Sequence, residues 1–376
     1  MKTGILTAAA LLLALCSFSW AQKLLIDTST AEGKILSEIT RQSDASRKRT
    51  MLEEFIKTYP NSSQAAWVYG QLQSIYLQEQ QYDKVLETGE KALAGGAGDV
   101  DLAYNNLKAV EGKNDPDGVA KWSAETSRLA RKVEQSTQPS DDDAKARIDY
   151  AKQVDTYSEY SIYAMVLKTT DPAKIVALVE PLEQRNPKSE YLSKSYGMYL
   201  NALRQTGQND KAGAAAETEA DRNPNNEDAL LIAADYNMQR QNQDKALAYA
   251  AKLSEVMQAK TKPAELSDAD WEKKKSTLLG AGYWMQGVVY SGQKKYSHAD
   301  KALREALPLI KGDSQMLGVG LFHLGVADYE LGKSTKKRAL LQDALKFSQQ
   351  SAAIKGPLQA QAQANVKAMG RQVGRR

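Results

Sequence analysis

A chain of 376 residues with 50 basic and 46 acidic side chains carries a formal charge of +4, too small on this length to serve as an electrostatic footprint for nucleic acid. A hydrophobic share of 42% is enough to build a large core by packing alone, and a single cysteine excludes any internal disulfide framework.

The N-terminus reads as an export signal. Lys2 is the only charge before Lys23, Ile5 to Phe18 is apolar or small, and Ser19-Trp20-Ala21 places small residues where a signal peptidase reads. Cleavage is therefore expected after Ala21, leaving a periplasmic or secreted chain without cysteine. The apolar run is shorter than the roughly 20 residues a spanning helix needs, and no later run approaches that length. Lipid anchoring at Cys16 is disfavoured because Leu15 before it is too bulky for a lipidation box.

Beyond the signal the chain is rich in Ala, Gln, Leu, Lys and Glu and poor in β-branched runs, which favours helix nearly throughout. Small and apolar residues recur at i, i+4, i+7. In chain order these are Val85/Gly89/Ala92, Ala120/Ala124, Ile175/Val179/Leu182, Ala212/Ala216, Ala246/Ala250/Leu253 and Ala299/Leu303/Ala306. Ala212 to Ala246 is a step of about 34 residues, and other steps are about 35 to 37. Two larger steps hold insertions near 134–149 and 258–275. The spacing predicts eight helix pairs, beginning near residues 30, 66, 101, 156, 191, 227, 268 and 315, and a final polar helix from Leu358 to about Met369. Local signals agree. Asp115-Pro116 and Asp171-Pro172 each place an N-cap before an N1 proline, and Ser267 with Asp270 predicts a helix running on through Tyr290.

A period near 34 with two amphipathic helices per unit resembles the tetratricopeptide repeat. The carrying residues are Leu72/Tyr76, Gly287/Tyr290 and Leu324/Gly325 in first helices. Ala212, Ala246 and Ala299 carry it in second helices, with Pro60, Pro187 and Pro224 closing units. Departures are Lys108 where the family prefers glycine, Asp115-Pro116 at a turn, and an extra "KSTKKR" loop in the last pair at 315–356. The segment "TYPNSSQ" at 58–64 resembles repeats of envelope-assembly members of that family. The resemblance implies an all-α, right-handed superhelical solenoid of antiparallel helix pairs over 22–370, capped by the C-terminal helix. A basic tail at 371–376 follows.

Chemical motifs are few. "ADYELGKST", Ala327–Thr335, fits a relaxed phosphate-loop pattern, but the mechanism needs a strand before the loop and the repeat register makes this a helix. His298 and His323 lack partners at ligand spacing, and "SDDDAK" at 140–145 lacks the calcium-loop pattern, its acids suiting a first helical turn instead. No nucleophile–base grouping is visible, so neither enzyme activity nor a cofactor is expected; an enzyme or regulator with a cryptic site is the remote alternative.

The family likeness also implies where binding would occur. Its first helices line a concave groove for peptides or partner helices. Carried over by position, the groove-facing residues are Trp67, Gln71 and Ser74, then Asn105, then Tyr157, Tyr160 and Ala164. Further along come Lys194, Asn201 and Arg204, then Asp235, Trp284, Val288, Phe322 and Tyr329. Lys194, Asn201 and Arg204 share one helical face, as in members that clamp a peptide carboxylate. The expected function is a scaffold for proteins or peptides of the cell envelope, or alternatively a structural component of an outer-membrane or cell-wall assembly complex. Arg204→Ala and Trp284→Ala are expected to weaken partner capture without disturbing folding.

Overall fold

The structure is a computed structural model that describes residues 26–94 and 99–373. The expected signal segment at 1–21, Cys16 included, lies outside the described residues. Among the described residues the chain forms seventeen helices and no strand. They fall into eight antiparallel pairs: α1 (Ala31–Arg41) with α2 (Ala45–Thr58), α3 (Ala65–Gln78) with α4 (Tyr82–Ala94), α5 (Val100–Gly112) with α6 (Pro116–Ser136), and α7 (Asp142–Lys168) with α8 (Pro172–Arg185). The series continues with α9 (Glu190–Gln205) and α10 (Asn209–Arg222), α11 (Glu227–Gln239) and α12 (Gln243–Ala259), α13 (Asp268–Gly292) and α14 (Tyr296–Ala306), and α15 (Ser314–Thr335) and α16 (Arg338–Ala353). A last helix, α17 (Gln359–Val373), buries Ala362 and Met369 against the array and leaves Gln361, Gln363 and Lys367 exposed. It extends into the segment expected as a basic tail. The chain divides into two compact units, one ending at Leu192 and one beginning at Ser193.

Caps explain most helix starts. Asp115 and Asp171 accept the amide N–H of Gly118 and Ala173, each ahead of an N1 proline. Ser267 accepts Asp270 N–H, and its hydroxyl donates to the Asp270 carboxylate at 2.6 Å. The fourth pair begins earlier than expected. Most of the 134–149 insertion is helix: α6 runs on to Ser136, and α7 starts at Asp142 behind Asp141, which accepts Ala144 N–H.

Six of the eight turns within pairs share one device. Gln80, Asn114, Gly207, Gln241, Lys294 and Lys336 each have positive φ just after a first helix. In the first five the next amide reaches back five residues, as in Gln81 N–H to Tyr76 O at 2.8 Å and Lys295 N–H to Tyr290 O at 2.9 Å. That bond satisfies a carbonyl the helix end would otherwise orphan.

The small residues sit where helices nearly touch. A Cβ on Gly287 would lie 2.4 Å from Leu303 Cγ, and one on Gly325 would lie 2.7 Å from Ser348 Oγ. Leu303, Ala299 and Ala306 are fully buried. One register was misplaced. The buried face of α6 is Val119, Ser123 and Thr126, with Ala120 and Ala124 only half-buried. Alanine marks the close approach elsewhere, but here serine and threonine fill it. The "KSTKKR" segment is also not a loop: Lys333, Ser334 and Thr335 continue α15, and the chain reverses at Lys336. The phosphate-loop pattern therefore lies within helix, where the Ser334 and Thr335 hydroxyls donate back to Leu331 O.

Candidate functional site

In the first unit, the first-helix face carries a row of tyrosines. Tyr104 of α5 meets Tyr157 of α7 edge-on with ring centroids 5.3 Å apart, and Tyr157 meets Tyr160 at 5.8 Å. Tyr160 meets Tyr191 edge-on at 5.7 Å, and Tyr191 lies 6.1 Å from Tyr163. Such pairs add about 0.5–1.5 kcal/mol beyond area burial, enough to hold the rings in place. Tyr160 is 40% exposed and so presents its ring outward from a braced position.

A polar network fixes the inner end of the row. Lys108 Nζ donates to the Tyr157 hydroxyl at 2.5 Å and lies 3.0 Å from Glu111, and Tyr157 donates to Glu111 at 2.9 Å. Ser161 donates to the other Glu111 oxygen. Burial, then the Glu111 charge, pushes the Tyr157 hydroxyl well above its ordinary value, and burial pushes Tyr104 up to about 12. Both stay protonated donors at any physiological pH. Lys108, the residue that departs from the family pattern, is thus the tie between α5 and α7.

Other expected groove residues of this unit have structural tasks. Trp67 is half-buried against the core of Leu36, Ile39, Phe55 and Leu72. Asn105 donates to Gln73 Oε1 at 3.1 Å, and buried Gln73 donates in turn to Leu102 O and Asn106 Oδ1. Gln71 accepts from Lys48 at 3.2 Å.

In the second unit, Lys194, Asn201 and Arg204 are exposed on α9. At 1.5 Å per residue, Lys194 and Arg204 stand roughly 15 Å apart along the helix, too far apart to clamp one carboxylate. Arg204 lies 3.9 Å from Asp235, which also accepts Gln239 Nε2 at 3.0 Å. Trp284 corrects the expectation of a purely binding aromatic. Its indole N–H donates to Met316 O at 2.9 Å and its ring lies over Gly320, so it braces α13 against α15. Phe322 and Tyr329 are half-buried on α15, with Lys333 over the Tyr329 ring at 5.1 Å. His323 faces Ser291 Oγ at 3.0 Å, and burial pushes its imidazole down to about 4.

A buried carboxylate lies behind this face. Asp328 is fully buried; Arg304 donates to its Oδ2 at 2.7 Å, and its Oδ1 meets no N–H or O–H donor among the described residues. The neighbouring Asp300 carboxylate favours the protonated form of Asp328. Arg304 also donates to Asp300 at 2.6 Å and lies 3.9 Å from Asp343. Burial, then the Asp300 carboxylate, raises the Asp328 pKa above its ordinary 3.8, against the opposing pull of Arg304. The folded state then holds a proton the unfolded chain releases, so stability falls as pH rises from about 3.8 through the raised value. Asp328→Asn supplies the same donor without the charge. Its melting temperature relative to the parent is expected to be higher at about pH 8 than at about pH 5. Parallel pH profiles for the two proteins would rule out the raised pKa.

Sequence reasoning missed Tyr104, Lys108, Glu111, Tyr163 and Tyr191. The spacing of Tyr157, Tyr160 and Tyr163 on one helix was a usable signal; the partners on α5 and at the start of α9 carried none.

No family model and no curated protein matches the sequence. Among solved structures, the TPR domain of P58(IPK) aligns at 11% identity over 92% of this chain and 100% of that one, with a TM-score of 0.29. The APC/C hetero-tetramer Cut9–Hcn1 aligns at 12% identity over 92% and 84%, with a TM-score of 0.22. The fold of this chain is defined by its own helix pairs, and no function passes to it from these structures. No helix among the described residues is long and apolar enough to cross a membrane, and no three His, Cys, Asp or Glu side chains converge there as a metal site would require.

Proposed function

We propose that this chain is a non-enzymatic scaffold that binds partner proteins or peptides of the cell envelope through its first-helix faces, after export and processing behind Ala21. The observation that carries this reading is the outward-facing Tyr160, braced between Tyr157 and Tyr191 in the middle of the tyrosine row. Aromatic rings held in place before binding lose little entropy on contact, and tyrosines are frequent hot spots. Asn201 and Arg204 offer polar contacts of a similar kind on the second unit.

Tyr160→Ala tests the proposal. Truncating a hot-spot aromatic costs about 2 kcal/mol or more of binding, or roughly 30-fold in affinity. Recovery of envelope partners in a pull-down should fall accordingly, while the protein stays folded at the cost of two ring contacts of about 0.5–1.5 kcal/mol each. Stoichiometric recovery with a fixed set of proteins would instead favour a structural component of an assembly complex. A variant that recovers every partner as the parent does would remove the tyrosine face as the site.

A further inference from the structure

The last hairpin of the second unit carries a charge concentration that partner binding at the first-helix face does not use. Trp284 of α13 lies over Gly320 of α15, yet α13 ends at Gly292 while α15 continues to Thr335. At 1.5 Å per residue the α15–α16 hairpin overhangs its neighbour by roughly 10 Å. Its tip consists of Lys333, Lys336, Lys337 and Arg338, all exposed, and the preceding turn presents Lys294 and Lys295, also exposed. Lys294, Lys295, Lys336 and Lys337 form no ion pair with any carboxylate of the described residues. The nearest acid on the tip, Glu330, is engaged by Lys333 at 3.4 Å.

A second observation is independent of charge. Lys294 and Lys336 occupy the turn position with positive φ, at 59° and 55°. Equivalent turns use Gln80, Asn114, Gly207 and Gln241. Glycine or asparagine takes this conformation with less strain than lysine. Two lysines are therefore held there at a conformational cost, and both point the hairpin ends toward solvent with their charge unneutralised.

The geometry points to an electrostatic docking tip for a bilayer surface rich in anionic phospholipid, formed by Lys294, Lys295, Lys333, Lys336, Lys337 and Arg338. Five of the six are compact ammonium groups on flexible stems; Lys333, Lys336, Lys337 and Arg338 stand on the overhanging α15–α16 tip, and Lys294 and Lys295 on the turn beside it add charge within reach of the same anionic surface. A duplex or single strand would call for a groove or for open stacking aromatics, and Tyr329, the nearby ring, is half-buried under Lys333. This inference stands apart from the groove reading, since it uses other residues.

Flotation with vesicles tests it. The chain from Gln22 onward retains every described helix and omits the apolar leader. It is expected to float with phosphatidylcholine vesicles that contain phosphatidylglycerol, to ignore phosphatidylcholine alone, and to be released by salt. Each lysine neutralised should weaken partitioning about five-fold. Lys295→Gln with Lys337→Gln, neither at positive φ, should therefore lose about 25-fold. Adding Lys294→Gln and Lys336→Gln should carry the loss to several hundred-fold, roughly as the product of four such steps. Glutamine is already used at the equivalent turn positions 80 and 241, so these variants should melt like the parent. Removing Lys355 and Lys367 elsewhere on the unit should change little, and Tyr160→Ala should float as the parent does. Equal flotation of the double variant and the parent overturns the proposal. So does failure of the parent to bind anionic vesicles, or tighter binding to a DNA duplex than to those vesicles at the same salt.

Discussion

Gly287→Leu is expected to lower the stability of the second unit by about 1–3 kcal/mol, the usual cost of overpacking a filled interior. The position is helical, and any replacement of glycine there gains up to about 1 kcal/mol of helix propensity. Geometry outweighs that gain. Even a first side-chain carbon would sit 2.4 Å from Leu303 Cγ, 2.7 Å from its Cδ2 and 3.3 Å from its amide nitrogen. Leu303 is fully buried, so it cannot swing into solvent to make room. Relief requires α13 and α14 to separate, which uncovers Ala299 and Ala306 as well. Gly287→Ala, with the same first clash but a larger share of propensity gain, should fall between the parent and the leucine variant. Denaturant melts of the three proteins measure the series. An unchanged midpoint for the leucine variant would mean that α13 and α14 are not packed in this register.

Trp284→Ala is expected to cost about 2–4 kcal/mol, below the full 3–5 for a wholly buried tryptophan because the ring is half-buried. The loss comes from the contact with Gly320 and from the indole bond to Met316 O. Trp284→Phe separates the two terms. It keeps most of the ring contact and gives up the hydrogen bond, worth about 0.5–1.5 kcal/mol. Binding measured on the alanine variant will therefore mix recognition with folding, which is why Tyr160 is the better probe. If Trp284→Ala melts at the parent temperature, the bracing role assigned to it is wrong and its ring is available to a partner.

The site was only partly legible in the sequence. Tyr157 and Tyr160 were found because the repeat resemblance placed both at groove-facing positions of one first helix. Their functional difference was not visible: Tyr157 is tied to Lys108 and Glu111, whereas Tyr160 faces outward. Those ties join residues more than forty positions apart, and no local pattern encodes them. Lys108 was noticed as a departure from the repeat pattern, and its partner on α7 supplies the reason.

What the sequence by itself determined is whatever rests on local physics. The helix starts at 116 and 172 follow from an aspartate cap before an N1 proline and that at 268 from the Ser267 cap, while those at 65, 100, 190, 227 and 314 follow from the repeat of the 3.6-residue spacing of small and apolar side chains. The pairing of helices follows from the roughly 34-residue period. Only the tertiary structure decided the rest. It set the face of α6 at Val119, Ser123 and Thr126, because alanine, serine and threonine all fit a close approach and only the neighbouring helix selects the register. It turned an expected loop at Lys333–Thr335 into helix, because α15 and α16 extend along each other and satisfy their backbones there. It also raised the pKa of Asp328, since an aspartate on a helix is ordinary until burial beside Asp300 removes the water that would keep it ionised.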